Sequence, residues 1–174
     1  ILKEKNTNDI LNDFFDDTIS ELKISLDNYI KSNDEKYLTE IKNITGNSIN
    51  DKELVKISSN GEEKFVKEMR ILLEEKRNSR VNILGQEQNE SLEKKIFLQV
   101  IDFSWRSHLQ YLEQLRQVIG LRQYGQKDPL SEFKKEAFSL FEQLLNKIKT
   151  DVIRILFNLN IVVSSNEENK EISK

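Results

Sequence analysis

The side chains with chemical potential are few. His108 is the only histidine and cysteine is absent, which rules out a histidine-based metal cluster, disulfides and thiolate metal sites within the chain. A catalytic triad would have a single candidate base. His108 stands between Trp105 and Leu112 at helical spacing, so a hydrogen-bonded, half-buried packing role is expected of it rather than a proton switch. Trp105, on the same stripe, is read as a core residue, with a partner anchor as the alternative. Asp13, Asp16 and Asp17 offer oxygens to a cation, but acidic residues early in a helix answer its dipole, and that is the expected role here. Asp102 and Arg106 form a favourable helical i,i+4 pair. No glycine-rich phosphate loop, paired catalytic group or metal-ligand spacing occurs. One constellation differs in kind. Arg116, Arg122, Lys127, Lys134 and Lys135 gather around Tyr124, Gly125 and Gln126, against Asp128 and Glu132, in a chain of net charge −3. An aromatic ring with a polar end beside a glycine suits non-directional contact with varied partners. Equally open is that Tyr124 packs back across the end of the element that carries it.

Two elements must position that constellation. Before it, Phe97, Ile101, Trp105, His108, Leu112, Leu115 and Ile119 recur every three or four residues, and after it Phe133, Ala137, Phe141, Leu144, Ile148, Val152, Ile155 and Leu159 do the same. That spacing places each set on one helical stripe. Between them Tyr124 to Pro129 breaks the helix, because glycine permits positive φ and proline disfavours helix at the residue before it. So short a connection folds the second helix back antiparallel on the first. Trp105, His108, Leu112, Leu115, Ile119, Pro129, Phe133 and Phe141 are the expected structural residues of this hairpin, and its end is the expected site.

The rest reads as helix. With 33% charged residues, one proline and no sustained strand-like alternation, the expected class is all-α, a small helical subdomain plus a long antiparallel two-helix hairpin. A helix is expected from Asn8 or Asp9 to Ile30, a second from a capping box at Ser32 to Glu35 with Gly46 as its stop, and a third after Asn50. A fourth is expected from Glu62 to Asn78 or beyond. Asn89 or Ser91 is the expected cap of the first hairpin helix. The expected organisation is 1–17 as an entering helical segment, 18–86 as the small subdomain, 87–162 as the hairpin and 163–174 as a disordered tail. The acidic net charge argues against a nucleic-acid partner. No apolar run approaches the ~18 residues of a membrane span and no signal peptide is visible. A chain beginning Ile1-Leu2-Lys3 is read as part of something larger.

The hairpin residues are specific enough to carry a resemblance. Asp102-Phe103-Ser104-Trp105-Arg106-Ser107-His108-Leu109, Leu115-Arg116-Gln117-Val118-Ile119-Gly120-Leu121-Arg122, and Tyr124 with Gln126-Lys127-Asp128-Pro129-Leu130 closely resemble the C-terminal region of SecA, the family of ATP-driven motors of bacterial preprotein translocation. The likeness is dense from Ser91 to Leu159. Over residues 1–90 it extends by order and length to the family's helical wing domain, preceded by the end of its long scaffold helix. It implies that the hairpin is the two-helix finger of the helical scaffold domain. The finger's loop would contact the translocating polypeptide at the mouth of the SecYEG channel through Tyr124, Gly125, Gln126, Lys127 and Arg122, and would help restrain the motor's ATPase. Gln123 and Gly125 depart from the residues commonest in the family.

The same resemblance implies no cofactor in this chain, with ATP and magnesium held by motor domains outside it. It implies the remaining SecA domains, unfolded preprotein and the channel as partners, acidic lipids through the parent, and a cytoplasmic location peripheral to the inner face of the bacterial plasma membrane. The alternative is a free-standing hairpin serving as an interaction or dimerisation scaffold. A hairpin stripe normally covered by absent domains would be exposed in the isolated chain, so non-native dimers are expected.

Overall fold

The structure, a computed structural model, describes residues 7–46, 49–59, 62–121 and 128–161. Among the described residues there are six helices and no strand: α1 (Thr7–Ser32), α2 (Glu35–Thr45), α3 (Asp51–Ser59), α4 (Glu62–Leu84), α5 (Gln86–Ile119) and α6 (Pro129–Asn158). The all-α class expected from the periodicity is what the chain adopts. Residues 163–174, expected to be a disordered tail, lie outside the described residues.

Helix ends follow local chemistry, with some corrections. α1 runs two residues past the expected Ile30, and Asn33 ends it in the left-handed region (φ 52°), donating its N–H to the Tyr29 carbonyl at 2.7 Å. Asparagine tolerates that conformation better than most residues. Ser32, expected to cap the next helix, instead donates its hydroxyl to the Asn28 carbonyl at 2.7 Å, and Asp34 is the N-cap of α2, accepting from the Lys36 N–H at 3.0 Å. Asn50 caps α3 by accepting from the Glu53 N–H at 2.8 Å. The loop expected from Gly85 to Asn89 shrinks to Gly85 alone (φ 86°), so Asn89 and Ser91 lie inside α5 rather than at its cap.

Two cores hold these helices. The first joins Phe15, Ile19, Leu22 and Leu26 of α1, Leu38 and Ile41 of α2, Leu54 of α3, Phe65 and Met69 of α4, and Ile153 and Phe157 of α6. Each such side chain fully taken from water contributes about 1.5–3 kcal/mol. The second joins Ile96 and Val100 of α5 to Leu144, Ile148, Val152 and Leu156 of α6, with Leu11, Phe14 and Leu73 packed against it. α6 therefore serves both cores, as one strut of the hairpin and as part of the small helical bundle. A second, tighter hairpin exists that the sequence reading missed. α4 and α5 turn on Gly85, and the pairs Arg80–Asn89 and Arg77–Glu93 step outward from it.

Gly46 shows how closely wing and strut approach. It stops α2 at φ 63°, its N–H bonding the Lys42 carbonyl, while Asn158 at the end of α6 donates to the Ile44 carbonyl at 3.0 Å. A Cβ at position 46 would sit 1.8 Å from the Asn158 side-chain oxygen. Gly46→Ala combines a disfavoured φ with a clash, and chemical denaturation should show a loss of about 1–3 kcal/mol. Asn158→Ala combined with Gly46→Ala should recover part of it, since the collision is with that side chain.

Candidate functional site

The far end of the α5–α6 hairpin is built by its two helix termini. α5 ends at Ile119, and Leu121 just beyond is 67% exposed. α6 starts at Pro129, whose fixed φ suits the first helical turn. Asp128 is its N-cap, accepting from the Ser131 N–H at 3.0 Å and the Ser131 hydroxyl at 2.6 Å. These bonds, the hydroxyl's first, hold the Asp128 carboxyl below the usual carboxylate range. Arg122, Tyr124, Gly125, Gln126 and Lys127, the expected contact residues, lie outside the described residues. Of the basic residues expected around them, Arg116 is paired with Glu113 at 2.8 Å, while Lys134 and Lys135 are exposed.

Behind the end, the seam between the helices is rotated from the expected stripe. The α5 residues buried along it are Ile96, Val100, Ser104, His108, Leu115 and Ile119, with Phe97, Ile101 and Leu112 at its edge. Trp105, read as core, is 46% exposed. One residue along a helix turns the side chain by about 100°, and Ser104 takes the inward position instead. Phe141 of α6 is also exposed at 40%, whereas Phe133 and Pro129 are half-buried. His108 is buried between the two aromatics, 5.6 Å from the Trp105 ring and 6.1 Å from that of Phe141 by centroids. Leu109, Tyr111 and Phe138 are also exposed, and Phe103, about 200° round α5 from Trp105, is exposed on the other flank of the seam. No residue of α6 from 129 to 143 is buried, so the hairpin is knit tightly near the wing and loosely towards its end.

At the opposite end lies a cluster that the sequence reading did not find. Arg80, Asn89 and Glu93 are 3%, 0% and 1% exposed. Glu93 accepts from Arg77 Nε at 2.9 Å and Nη2 at 3.1 Å, from Asn89 Nδ2 at 2.9 Å and from Arg80 at 3.4 Å. Arg80 also donates to the Leu156 carbonyl of α6 at 3.0 Å, and Arg77 to Asn8 of α1 at 3.0 Å. Burial lowers the Arg80 pKa from its ordinary value, whereas hydrogen bonding to Glu93 raises that of Arg77. The signal available in sequence was the i,i+3 and i,i+4 spacing of these residues, but it looks the same on a solvated face.

The aspartates of α1 also have a different role from the one expected. Asp16 pairs with Arg70 of α4, and Asp17 with Lys149 of α6 at 2.6 Å. Both sit well past the first turn, so the helix dipole is not their explanation, and they fasten α1 to its neighbours. Among the described residues no group of three or more His, Asp or Glu side chains could hold a metal ion, and no helix is long and apolar enough to cross a membrane.

A small bundle of helices set on the base of a long helical hairpin is the architecture of a wing joined to a scaffold. Residues 1–160 match the family described as SecA Wing and Scaffold domain. The chain is 42% identical over 168 residues to the protein translocase subunit SecA of Pelagibacter ubique, covering 96% of this chain and 20% of that protein. Against the same subunit of Caulobacter sp. strain K31 it is 45% identical over 107 residues (62% of this chain, 12% of the relative), and against that of Caulobacter vibrioides 52% over 85 residues (49% and 9%). The chain belongs to the SecA wing and scaffold family, and spans about a fifth of the length of the Pelagibacter relative.

The Asp128 cap can be tested by its pH dependence. A carboxyl with a depressed folded pKa contributes stability that is present above its unfolded value and is lost as pH falls through the folded one. The amide of Ser131 should therefore stay protected from hydrogen exchange at neutral pH and lose protection only below the ordinary carboxylate range. Asp128→Ala should exchange several-fold faster there at neutral pH and show no such acid step, read residue by residue by NMR.

Proposed function

We propose that this chain is the non-catalytic wing and scaffold portion of a SecA-type translocase motor, and that the hairpin end touches the polypeptide being moved. The observation that carries the reading is the hairpin itself. The hydrogen bonds, ion pairs and ring contacts with α1–α4 described above fall at or before Phe97 on α5 and at or after Lys149 on α6. The remaining length of each helix, roughly 30 Å at 1.5 Å per residue, runs on towards the loop. A stiff two-helix arm ending in a short loop can place Tyr124 and its basic neighbours at a distance from the body that moves it. An aromatic, a glycine and lysine or arginine side chains, without a pocket, suit a substrate whose sequence changes continuously.

On this reading the loop residues Arg122, Tyr124, Gly125, Gln126 and Lys127 face preprotein at the cytoplasmic mouth of the SecYEG channel. The exposed flank of Trp105 and Phe138 packs against the rest of the parent and helps restrain its ATPase. ATP and magnesium belong to parts of the parent outside this chain, which itself offers no phosphate loop. Membrane association is peripheral and comes through the channel and acidic lipids.

The test is photo-cross-linking from position 124 in the full-length parent, with a stalled preprotein and SecYEG membranes. Adducts to the moving chain are expected. Their absence, with a positive control elsewhere on the motor, would remove the contact role and leave Tyr124 as an end-cap of the hairpin.

The exposed flank makes a separate expectation for the isolated 174-residue chain. Apolar surface of this kind drives self-association, so sedimentation should show a concentration-dependent dimer that weakens in the Trp105→Asp/Phe138→Asp variant. A strictly monomeric chain at high concentration would show that the flank is too broken to associate.

A further inference from the structure

The two helices of the hairpin are rooted in the wing by different chemistry. α6 enters the wing core through Ile153 and Phe157, both 0% exposed, the latter with its ring 6.5 Å from that of Phe15. α5 gives no residue to that core. In its first two turns the buried side chains are polar, Asn89 and Glu93, and they are gripped by Arg80 and Arg77 of α4. The apolar attachment of α5 is to the second core, through Ile96, Val100 and the flanking Leu92 and Phe97, whose ring lies 5.7 Å from that of Phe14 of α1.

The joint behind this root is a single residue. Helix is continuous from 62 to 84 and from 86 to 119, and only Gly85 departs from it. At φ 86° it holds a conformation open to glycine and few other residues, with open space around the position of a Cβ. Such a residue between two long helices has the form of a hinge. Beside the cluster lies a cavity of about 440 Å³, lined among others by Asn8, Asn12, Asn78 and Arg77, which gives the Arg77 side chain room to withdraw.

From this asymmetry we propose that α5 is the movable strut of the hairpin and α6 the fixed one, with the Glu93 cluster as a latch across the Gly85 hinge. Apolar burial is non-directional and degrades gradually. A buried carboxylate shared by two guanidiniums is directional and fails more abruptly, because removing its charge leaves buried Arg80 without a counter-charge. Opening the latch frees the root of α5 from α4 while α6 stays seated, so the helices shear along their seam and the loop is displaced at the far end. This inference rests on the fold and does not depend on what the loop touches.

Pulsed electron spin resonance can follow each strut separately, since a chain without cysteine accepts label pairs cleanly. One label is placed at exposed Lys67 of α4 and the second at exposed Gln110 of α5 or exposed Asn146 of α6, with labelled chain diluted in unlabelled. In Glu93→Gln the α4–α5 distance distribution should at least double in width while the α4–α6 distribution keeps its parent width. Unchanged distributions with a lowered melting temperature would make the cluster a source of stability and nothing more. Equal broadening of both pairs would show general loosening and also defeat the proposal. If Glu93→Gln does not fold, Glu93→Asp, which keeps the charge and shortens the arm by one methylene, is judged on the same two pairs.

Discussion

Glu93 is a carboxylate taken almost wholly out of water where four helices meet, and much of the architecture depends on how it is matched. Desolvating such a group costs several kcal/mol, recovered only when its oxygens are met by well-placed donors. Here Oε1 faces Arg77, Arg80 and Asn89, and Oε2 faces the second arm of Arg77. Arg77 and Arg80 are three residues apart and Asn89 and Glu93 four, so each pair occupies one helical face. Only one rotation of α4 against α5 brings the faces together. The second bond of Arg80, to the Leu156 carbonyl, then sets where the end of α6 lies. An apolar seam alone would tolerate slippage by a turn; the buried ions give these helices one setting.

The apolar elements were legible in the sequence because their signal is local. Six helices follow from three-to-four-residue spacing, and Gly46 as the stop of α2 follows from the freedom that a positive φ demands. Where the reading failed, the decisive information was not local. Asn89 looks like a cap beside Gly85, but its amide is claimed by Glu93 and Arg80 from the interior. Asp16 and Asp17 look like dipole partners, but their cations come from α4 and α6, 54 and 132 residues away. Trp105 was assigned inward on size, although a stripe with apolar residues on both edges does not fix which line faces the neighbour. Ser104, small enough for close helix approach, takes the seam while the indole rides on its shoulder.

The candidate site was legible differently. Its placement at a hairpin end follows from the break between Tyr124 and Pro129, and the Asp128–Ser131 cap with Pro129 behind it shows why the second helix begins where it does. The role of the tyrosine could not come from spacing, since an end-cap and a contact residue have the same sequence environment. The contact role proposed for Tyr124 draws instead on the likeness to the SecA family, of whose Pelagibacter member the chain covers 20%.

The gradient of packing along the hairpin links these observations. Near the wing, Ile96 and Val100 meet Leu144, Ile148, Val152 and Leu156 in a closed core. Further out α5 still buries His108, Leu115 and Ile119, but no α6 residue from 129 to 143 is more than partly buried. Tight packing at the base holds the two helices to one setting while the Glu93 cluster is intact, because interiors at crystal-like density transmit displacement rather than absorb it. Loose packing further out leaves a flank with Trp105 and Phe138 available to a partner, and burial of such aromatics contributes most where they are fully covered. The distal arm therefore gains its rigidity from whatever covers that flank. Stiffness at the end is then conditional on docking along the shaft, so a change in how the flank is held alters how faithfully movement at the base reaches the loop.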